Sequence, residues 1–151
     1  MSKAIDRLEA IKAAQSKSKS RTQRMEDYLE VIYELMECKG YASMSDISNY
    51  LNVSSASVTK MIQRLHENGY IEYEKYKGIR LKDKGIDVAK AIREKHSILT
   101  EFLLLLGIDE KDAHRITEGI EHYFDNKSMK RLEQLIDIIR SNEDLLKRIG
   151  K

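Results

Sequence analysis

SDISNYLNVSSASVTKMIQRL, Ser45–Leu65, breaks into two short helical patterns joined by a tight turn. In the first, Ile47 and Leu51 share a face, with Met44 just ahead of it. In the second, Val58, Met61, Ile62 and Leu65 recur at helical spacing. Asn52-Val53-Ser54-Ser55 makes the break. Asn tolerates the left-handed conformation of a helix C-terminus, and Ser54 or Ser55 supplies the next N-cap. Subtracting the apolar positions leaves Ser55, Ala56, Ser57, Thr59, Lys60, Gln63 and Arg64 on the outer face of the second helix. Short hydroxyls followed by long cationic and amide groups suit a helix whose N-terminus enters a major groove while its later turns touch phosphate. The bland alternative is a helical hairpin with a polar face.

The sequence on either side favours the DNA reading. After Leu65, His66-Glu67-Asn68-Gly69 is a stop, Tyr70–Glu74 alternates as a strand does, and Ile79-Arg80-Leu81 begins a second strand. Between them, Lys75-Tyr76-Lys77-Gly78 is a basic hairpin tip, placing Lys75 and Lys77 near phosphate or the minor groove. Upstream, Thr22–Cys38 reads as a strong helix with Thr22 as N-cap, a stripe of Met25, Leu29, Ile32, Tyr33 and Met36, and Gly40 just past its end. Tyr41-Ala42-Ser43 is short enough for a single β-bridge. Three helices and a two-stranded hairpin, in that order, make a winged helix. Lys3–Ala14 is a modest amphipathic helix carrying Ile5, Leu8 and Ile11, and Gln15–Arg21 reads as a Ser/Lys-rich tether.

Downstream, everything is helical. A long helix opens at Asp83 or Lys84-Gly85 and runs through Ile86, Ala89, Ile92, His96, Leu99 and Phe102–Leu106, where Gly107 closes it. Leu103–Leu106 is apolar all round, as in a helix buried between neighbours or in a dimer. Asp109–Phe124 is a further helix, and Ser128–Arg140 another, with Met129, Leu132, Leu135, Ile136 and Ile139 inward. The charged tail to Lys151 reads as one more frayed turn. Composition agrees: no proline, 34% charged and 41% hydrophobic residues in 151. The expected fold is mainly α, with an extension over 1–21, a winged helix-turn-helix over 22–83 and an all-helical unit over 84–151. No run of ~18 apolar residues spans a membrane, and no apolar signal segment opens the chain. One cysteine, Cys38, fits a reducing cytoplasm. A net charge of +2 is too small to hold DNA unless it is concentrated locally.

A second constellation lies in the helical half. Glu118, Glu121 and His122 stand at i, i+3 and i+4 on one helical face. A solvated acidic face explains many such triplets. Here, however, His96 is on the preceding helix, and Asp27 and Glu30 lie on the helix that must join the halves. Acidic residues near a helix start also favour its dipole. Carboxylate and imidazole donors together suit Mn²⁺, Fe²⁺ or Zn²⁺, and bridging carboxylates can hold two ions. His114, four before Glu118, could also reach; His66 belongs to the DNA-reading half and is expected to be solvated.

These blocks together resemble the manganese-responsive regulators of the diphtheria-toxin-repressor-like family. The likeness covers Arg24–Ile139 and is carried by MEDYLEVIY at Met25–Tyr33, KGYASMSDIS at Lys39–Ser48, SVTKMIQRL at Ser57–Leu65 and GYIEYEKYKGIRL at Gly69–Leu81. REKHSILTEFL at Arg93–Leu103 and EGIEHYF at Glu118–Phe124 complete it. The resemblance implies a cytoplasmic homodimeric repressor that binds double-stranded operator DNA, controls manganese-uptake genes, and has neither a membrane partner nor a small-molecule substrate. It also implies that the helical half binds metal and dimerises, with two Mn²⁺ per subunit held by Asp27, Glu30, His96, Glu118, Glu121 and His122. His114 is not in that set. Fe²⁺, Zn²⁺, Co²⁺ or Cd²⁺ are expected to bind in vitro, because raw affinity follows the Irving–Williams order rather than biological choice.

Some features depart from the family. Residues 1–21 have no counterpart there, and Ser54-Ser55-Ala56 stands where relatives often carry His-Pro-Ser, which leaves the operator sequence open. Iron-responsive relatives add a proline-rich linker and a third, β domain, and use sulfur ligands. The absence of proline and of Cys or Met at the six positions favours manganese. Two other readings of the residues are a metal-independent winged-helix regulator sensing a small organic ligand and a dinuclear metallohydrolase. The second needs a spare acid or base that the sequence does not offer.

Overall fold

A computed structural model describes residues 3–16 and 19–150. Helix α1 covers Lys3–Ser16, two residues beyond the expected end; its Leu8 and Ile11 are exposed. Ile5 lies outside the residues whose side chains are described, as do residues 17 and 18 of the tether.

The DNA-reading half follows the expected order with shifted boundaries. Helix α2 is Arg21–Lys39, and its N-cap is Ser20 rather than Thr22. The Ser20 hydroxyl accepts from the Gln23 N–H while the Gln23 side chain accepts from the Ser20 N–H, a reciprocal capping box. That pairing outcompetes Thr22, which lies inside the first turn. Gly40 closes the helix at φ 80°, where its N–H returns to the Met36 carbonyl. Tyr41-Ala42-Ser43 forms no β-bridge, because Ser43 is spent as the N-cap of α3, Met44–Leu51, accepting from Asp46 N–H. Asn52 takes the left-handed C-cap (φ 53°, ψ 51°), and Ser54 caps α4, Ser55–Glu67. Strands β1, Ile71–Glu74, and β2, Gly78–Leu81, pair antiparallel in the register Ile71↔Leu81 to Glu74↔Gly78.

Apolar packing explains why these pieces sit together. Leu29 and Ile32 of α2, Ile47 of α3, Val58, Ile62 and Leu65 of α4, and Ile71 and Ile79 of the wing form one buried cluster. Burying one such aliphatic side chain contributes about 1.5–3 kcal/mol.

Helix α5, Asp83–Leu105, leaves the wing and packs along α2. Gly85 permits its start: a Cβ there would meet the backbone oxygen of Tyr70 at 2.2 Å. Arg93 binds Glu34 of α2 at 3.3 Å and lies over the Tyr33 ring. Helix α6 is Glu110–Ile120, shorter than the helix expected over Asp109–Phe124. A 3₁₀ turn, Glu121–Tyr123, takes over, and Phe124 is extended. Helix α7 is Asn126–Arg140, capped by Asp125, and Arg140 pairs with Glu101 of α5. The tail holds a further helix, α8, Glu143–Ile149, rather than a single turn. Leu135 is exposed, not inward, and so are Leu104, Leu106 and Ile138. The apolar stripes of α5 and α7 are wider than one chain can cover. Among the described residues no helix is long and apolar enough to cross a membrane.

Candidate metal centre

Three helices, α2, α5 and α6, converge on Glu121 in the 3₁₀ turn. Its carboxyl group is 1% exposed, held where α6 gives way to the 3₁₀ turn. Two polar links fix that turn against α5: Lys95 Nζ donates to the Phe124 carbonyl at 2.7 Å, and the buried Thr100 and Thr117 hydroxyls meet at 3.1 Å. These links bring His96 over the end of α6.

The two oxygens of Glu121 face different histidines. Oε2 lies 3.0 Å from His96 Nδ1, and Oε1 lies 3.9 Å from His122 Nε2. Oε1 is buried and has no hydrogen-bond partner. An unsatisfied buried carboxylate oxygen costs a metal-free fold about 1–3 kcal/mol or more. On the His96 side, ligand atoms of Glu30, His96, Glu118 and Glu121 all lie within 4.8 Å of one another. Around Oε1, His122 Nε2 is 3.5 Å from Asp27 Oδ1. The structure therefore gathers all six residues expected from the sequence, in two groups that share Glu121. It also adds His114, whose Nδ1 is 3.0 Å from His96 Nε2 and whose ring stacks on it at 5.2 Å. His114 touches His96 and pairs weakly with Glu110 at 4.0 Å, so it stands behind the carboxylates rather than among them.

The charges in this cluster are mutually opposed. Burial, then the carboxylates of Glu121 and Glu118, push the Glu30 carboxyl up to about 7. Partial burial, then Glu121, also raises Glu118. The hydrogen bond that the His96 ring donates to the Glu121 carboxylate raises His96. Acidic groups crowded in a shielded place favour the protonated forms of Glu30, Glu118 and His96. Hard oxygen donors with two imidazoles, no thiolate and one orphaned buried oxygen fit a borderline or hard divalent ion.

Along the outer side of α4, Ser55, Ser57, Thr59, Lys60 and Gln63 are exposed, and Arg64 is half-buried. Two hydroxyls are partly committed: Ser57 Oγ meets Ser54 Oγ at 2.9 Å, and Thr59 Oγ1 donates to the Ser55 carbonyl. At the wing tip, Lys75 and Lys77 are exposed, Lys77 pairing with Glu74 at 3.0 Å. Between them Tyr76 projects, 96% exposed with φ 78°. His66 is exposed yet engaged, its Nδ1 accepting from the Tyr73 N–H.

Two basic residues escaped the sequence reading. Lys19 and Arg24 share a recess with Ser57, Lys60 and Arg64, and Lys19 also reaches Asp27 at 2.7 Å. The signal that could have found Lys19 is the Ser20-x-x-Gln23 capping box, which ends the tether two residues earlier and places Lys19 against α2.

Comparison with known proteins meets this geometry at both ends. Residues 21–79 match the iron dependent repressor N-terminal DNA binding domain, and residues 82–147 match the metal binding and dimerisation domain of the same family. The chain belongs to the iron dependent repressor family. It is a metal-dependent transcriptional repressor and not an enzyme, so the metallohydrolase reading and the metal-independent regulator both fall. It is 41% identical over 128 residues to the HTH-type transcriptional regulator MntR of Lysinibacillus sphaericus, covering 85% of this chain and 92% of that protein. Among solved structures, T. acidophilum IdeR superposes with a TM-score of 0.67 at 32% identity, covering 80% of this chain and 55% of that one. A manganese-dependent transcriptional repressor complexed with manganese superposes with a TM-score of 0.68 at 26% identity, covering 75% of this chain and 52% of the other. The chain thus spans about half the length of those solved relatives.

Proposed function

We propose that this repressor responds to manganese, binds operator DNA as a homodimer in the cytoplasm, and controls manganese-uptake genes. Two ions per subunit are held by Asp27, Glu30, His96, Glu118, Glu121 and His122. The observation that carries this reading is Glu121, a buried carboxylate whose two oxygens face two separate histidine-carboxylate groups. The similar MntR protein and the manganese-bound repressor support the choice of ion. An all-oxygen-and-imidazole donor set supports it independently.

When bound, divalent ions supply positive charge and coordination to four carboxylates that otherwise repel one another. The remainder is the work of the protein's own residues. Asp27 and Glu30 belong to α2, which contributes to the core beneath α4. His96 comes from α5, Glu118 from α6, and Glu121 and His122 from the 3₁₀ turn. Drawing these groups together fixes the tilt of α2 against α5, and with it the spacing of the two α4 helices in a dimer. Ser55, Ser57, Thr59, Lys60 and Gln63 then meet base edges and nearby phosphates, while Arg64, Lys75 and Lys77 hold the backbone. The change is a bias between existing arrangements. A gain of about 100-fold in operator affinity requires only about 2.7 kcal/mol of coupling. The exposed Leu104, Leu106, Leu135 and Ile138 supply apolar surface for the two-fold partner.

A mobility-shift titration on a manganese-uptake promoter fragment tests the proposal. Retardation should tighten with Mn²⁺ and reverse with chelator. Operator binding unchanged by either reagent would overturn it.

A further inference from the structure

Neither the family likeness nor the metal ligand set assigns a role to Lys19. Its Nζ lies 2.7 Å from Asp27 Oδ2, while the other Asp27 oxygen faces His122. Asp27 is largely enclosed and Lys19 is mostly exposed, so the ammonium reaches the carboxylate from the solvent side. The capping box at Ser20 fixes the backbone one residue later. Lys19 is thereby positioned by the start of α2. Two recesses meet at this ion pair. Glu30 and Glu118 line the one on the metal side, and Arg24, Lys60 and Arg64 line the one on the DNA side. Lys19 and Asp27 belong to both.

We propose that Lys19 is a built-in competitor for the metal centre: its ammonium neutralises Asp27 when no divalent ion is bound, and leaves it for DNA phosphate when Asp27 becomes a ligand. The inference rests on the assignment of Asp27 to the metal centre. An ammonium ion on one oxygen of Asp27 draws charge from the carboxylate and repels a dication at the other, so the two cations weaken each other's hold on it. Released, Lys19 has Arg24, Lys60 and Arg64 beside it, the same recess that the outer face of α4 borders. One side chain of the N-terminal segment thereby reports the state of the centre to the DNA face. Partly exposed ion pairs are weak, so the competition amounts to about fivefold in metal affinity and is screened by salt.

The test uses the full chain without DNA, titrated with MnCl₂ while free Mn²⁺ is followed by electron paramagnetic resonance. Lys19→Gln should bind Mn²⁺ about fivefold more tightly than wild type at low ionic strength, with the gap closing near ~1 M salt. Lys19→Arg should match wild type. On a random duplex at saturating Mn²⁺, Lys19→Gln should lower the slope of log K against log salt by about 0.9; without Mn²⁺ the slopes should coincide. Equal Mn²⁺ affinities of wild type and Lys19→Gln at low salt overturn the competition, and equal slopes with Mn²⁺ overturn the hand-over. A wild-type chain that binds no Mn²⁺ overturns the manganese centre itself, and this inference with it.

Discussion

The winged-helix half and the helical half solve the problem of burial in opposite ways. The first closes a core of its own, with Leu29, Ile32, Ile47, Val58, Ile62, Leu65 and Ile71 almost fully buried, and side-chain caps on all three of its helices. The second buries a glutamate with an unpartnered oxygen and leaves Leu104, Leu106, Leu135 and Ile138 exposed. One half is complete as a single chain. The other is left open as a single chain, at the carboxyl of Glu121 and along its apolar face, the two places where the proposed cations and second copy would complete it. Stability and sensing are thus divided between the halves, and substitutions should separate them.

The largest effect belongs to the closed core. Ile62 is fully buried in α4. Ile62→Ala should destabilise the fold by about 2–5 kcal/mol through lost burial and the cavity left behind. Because the cost falls on the first half, it should be similar with Mn²⁺ and with chelator. Thermal melts under both conditions check this, and a cost confined to the chelated protein would erase the division.

Glu121→Gln should do the reverse. It keeps size and helix compatibility but removes the charge shared by both groups of ligands. The metal-free variant should melt at or slightly above the wild-type temperature. Mn²⁺ should then add no operator affinity, forfeiting the ~100-fold gain, or about 2.7 kcal/mol. Weak binding to random duplex should survive, since Lys60, Arg64 and the wing are untouched. A wild-type Mn²⁺ response in this variant would misplace the switch and make His114 the next residue to change.

Protonation tests the place where the halves meet, since α2 of the first half supplies Glu30 to the site. The Glu30 carboxyl is raised from 4.5 in the unfolded chain to about 7 in the fold. A group raised in the fold contributes its full stability below the unfolded value and loses it as pH rises through the folded one. The raised His96 works in the same direction. Metal-free protein should therefore lose thermal stability as pH climbs from about 4.5 to 7. Glu30→Gln should flatten that slope, and saturating Mn²⁺ should remove it. A metal-free melting temperature that rises across this window would contradict the placement of Glu30.

At the open face of the second half, Ile138→Glu places a charge on surface that is 61% exposed in the single chain. Folding of the chain should be almost unaffected, within about 0.5 kcal/mol. Sedimentation should shift from dimer toward monomer with or without Mn²⁺. An unchanged dimer would move the interface elsewhere.

The two halves were also unequally legible in the sequence. Helical spacing in Val58–Leu65, the Asn52 C-cap and the Gly40 stop are local signals, and each appears where the residues placed it. The proposed ligand set came from a short motif and a resemblance, and the fold brings its six members near one another. What the sequence hid depends on competition or tertiary context. Ser20 took the cap from Thr22 because Gln23 could answer it. The break at Glu121 has no proline to announce it, only Gly119 two residues earlier within α6, and it falls where Phe124 is fastened to Lys95. Leu135 fits an inward stripe by spacing alone, yet α7 has too few neighbours in one chain to cover it. Lys19 lay in a stretch that resembled a tether and became visible only beside Asp27.

The smallest expected effect is at the wing, where the two halves should be most independent. Lys77 is an exposed cation at the hairpin tip, paired with Glu74 at 3.0 Å in a contact that water and salt weaken. The wing is far in sequence from every metal ligand, and its strands are anchored to the first core by Ile71 and Ile79. Lys77→Ala should therefore leave the melting temperature and the Mn²⁺ half-saturation point unchanged. If its role is to touch phosphate, the loss of affinity should be modest and equal for operator and random duplex, because phosphate carries no sequence information. The slope of log K against log salt should fall by about 0.9, the signature of one lost phosphate contact. Measuring both duplexes over a salt series at saturating Mn²⁺ distinguishes this from base reading. A loss confined to the operator would mean that the wing reads sequence, and a shift in Mn²⁺ half-saturation would show that the two halves are coupled even at this edge.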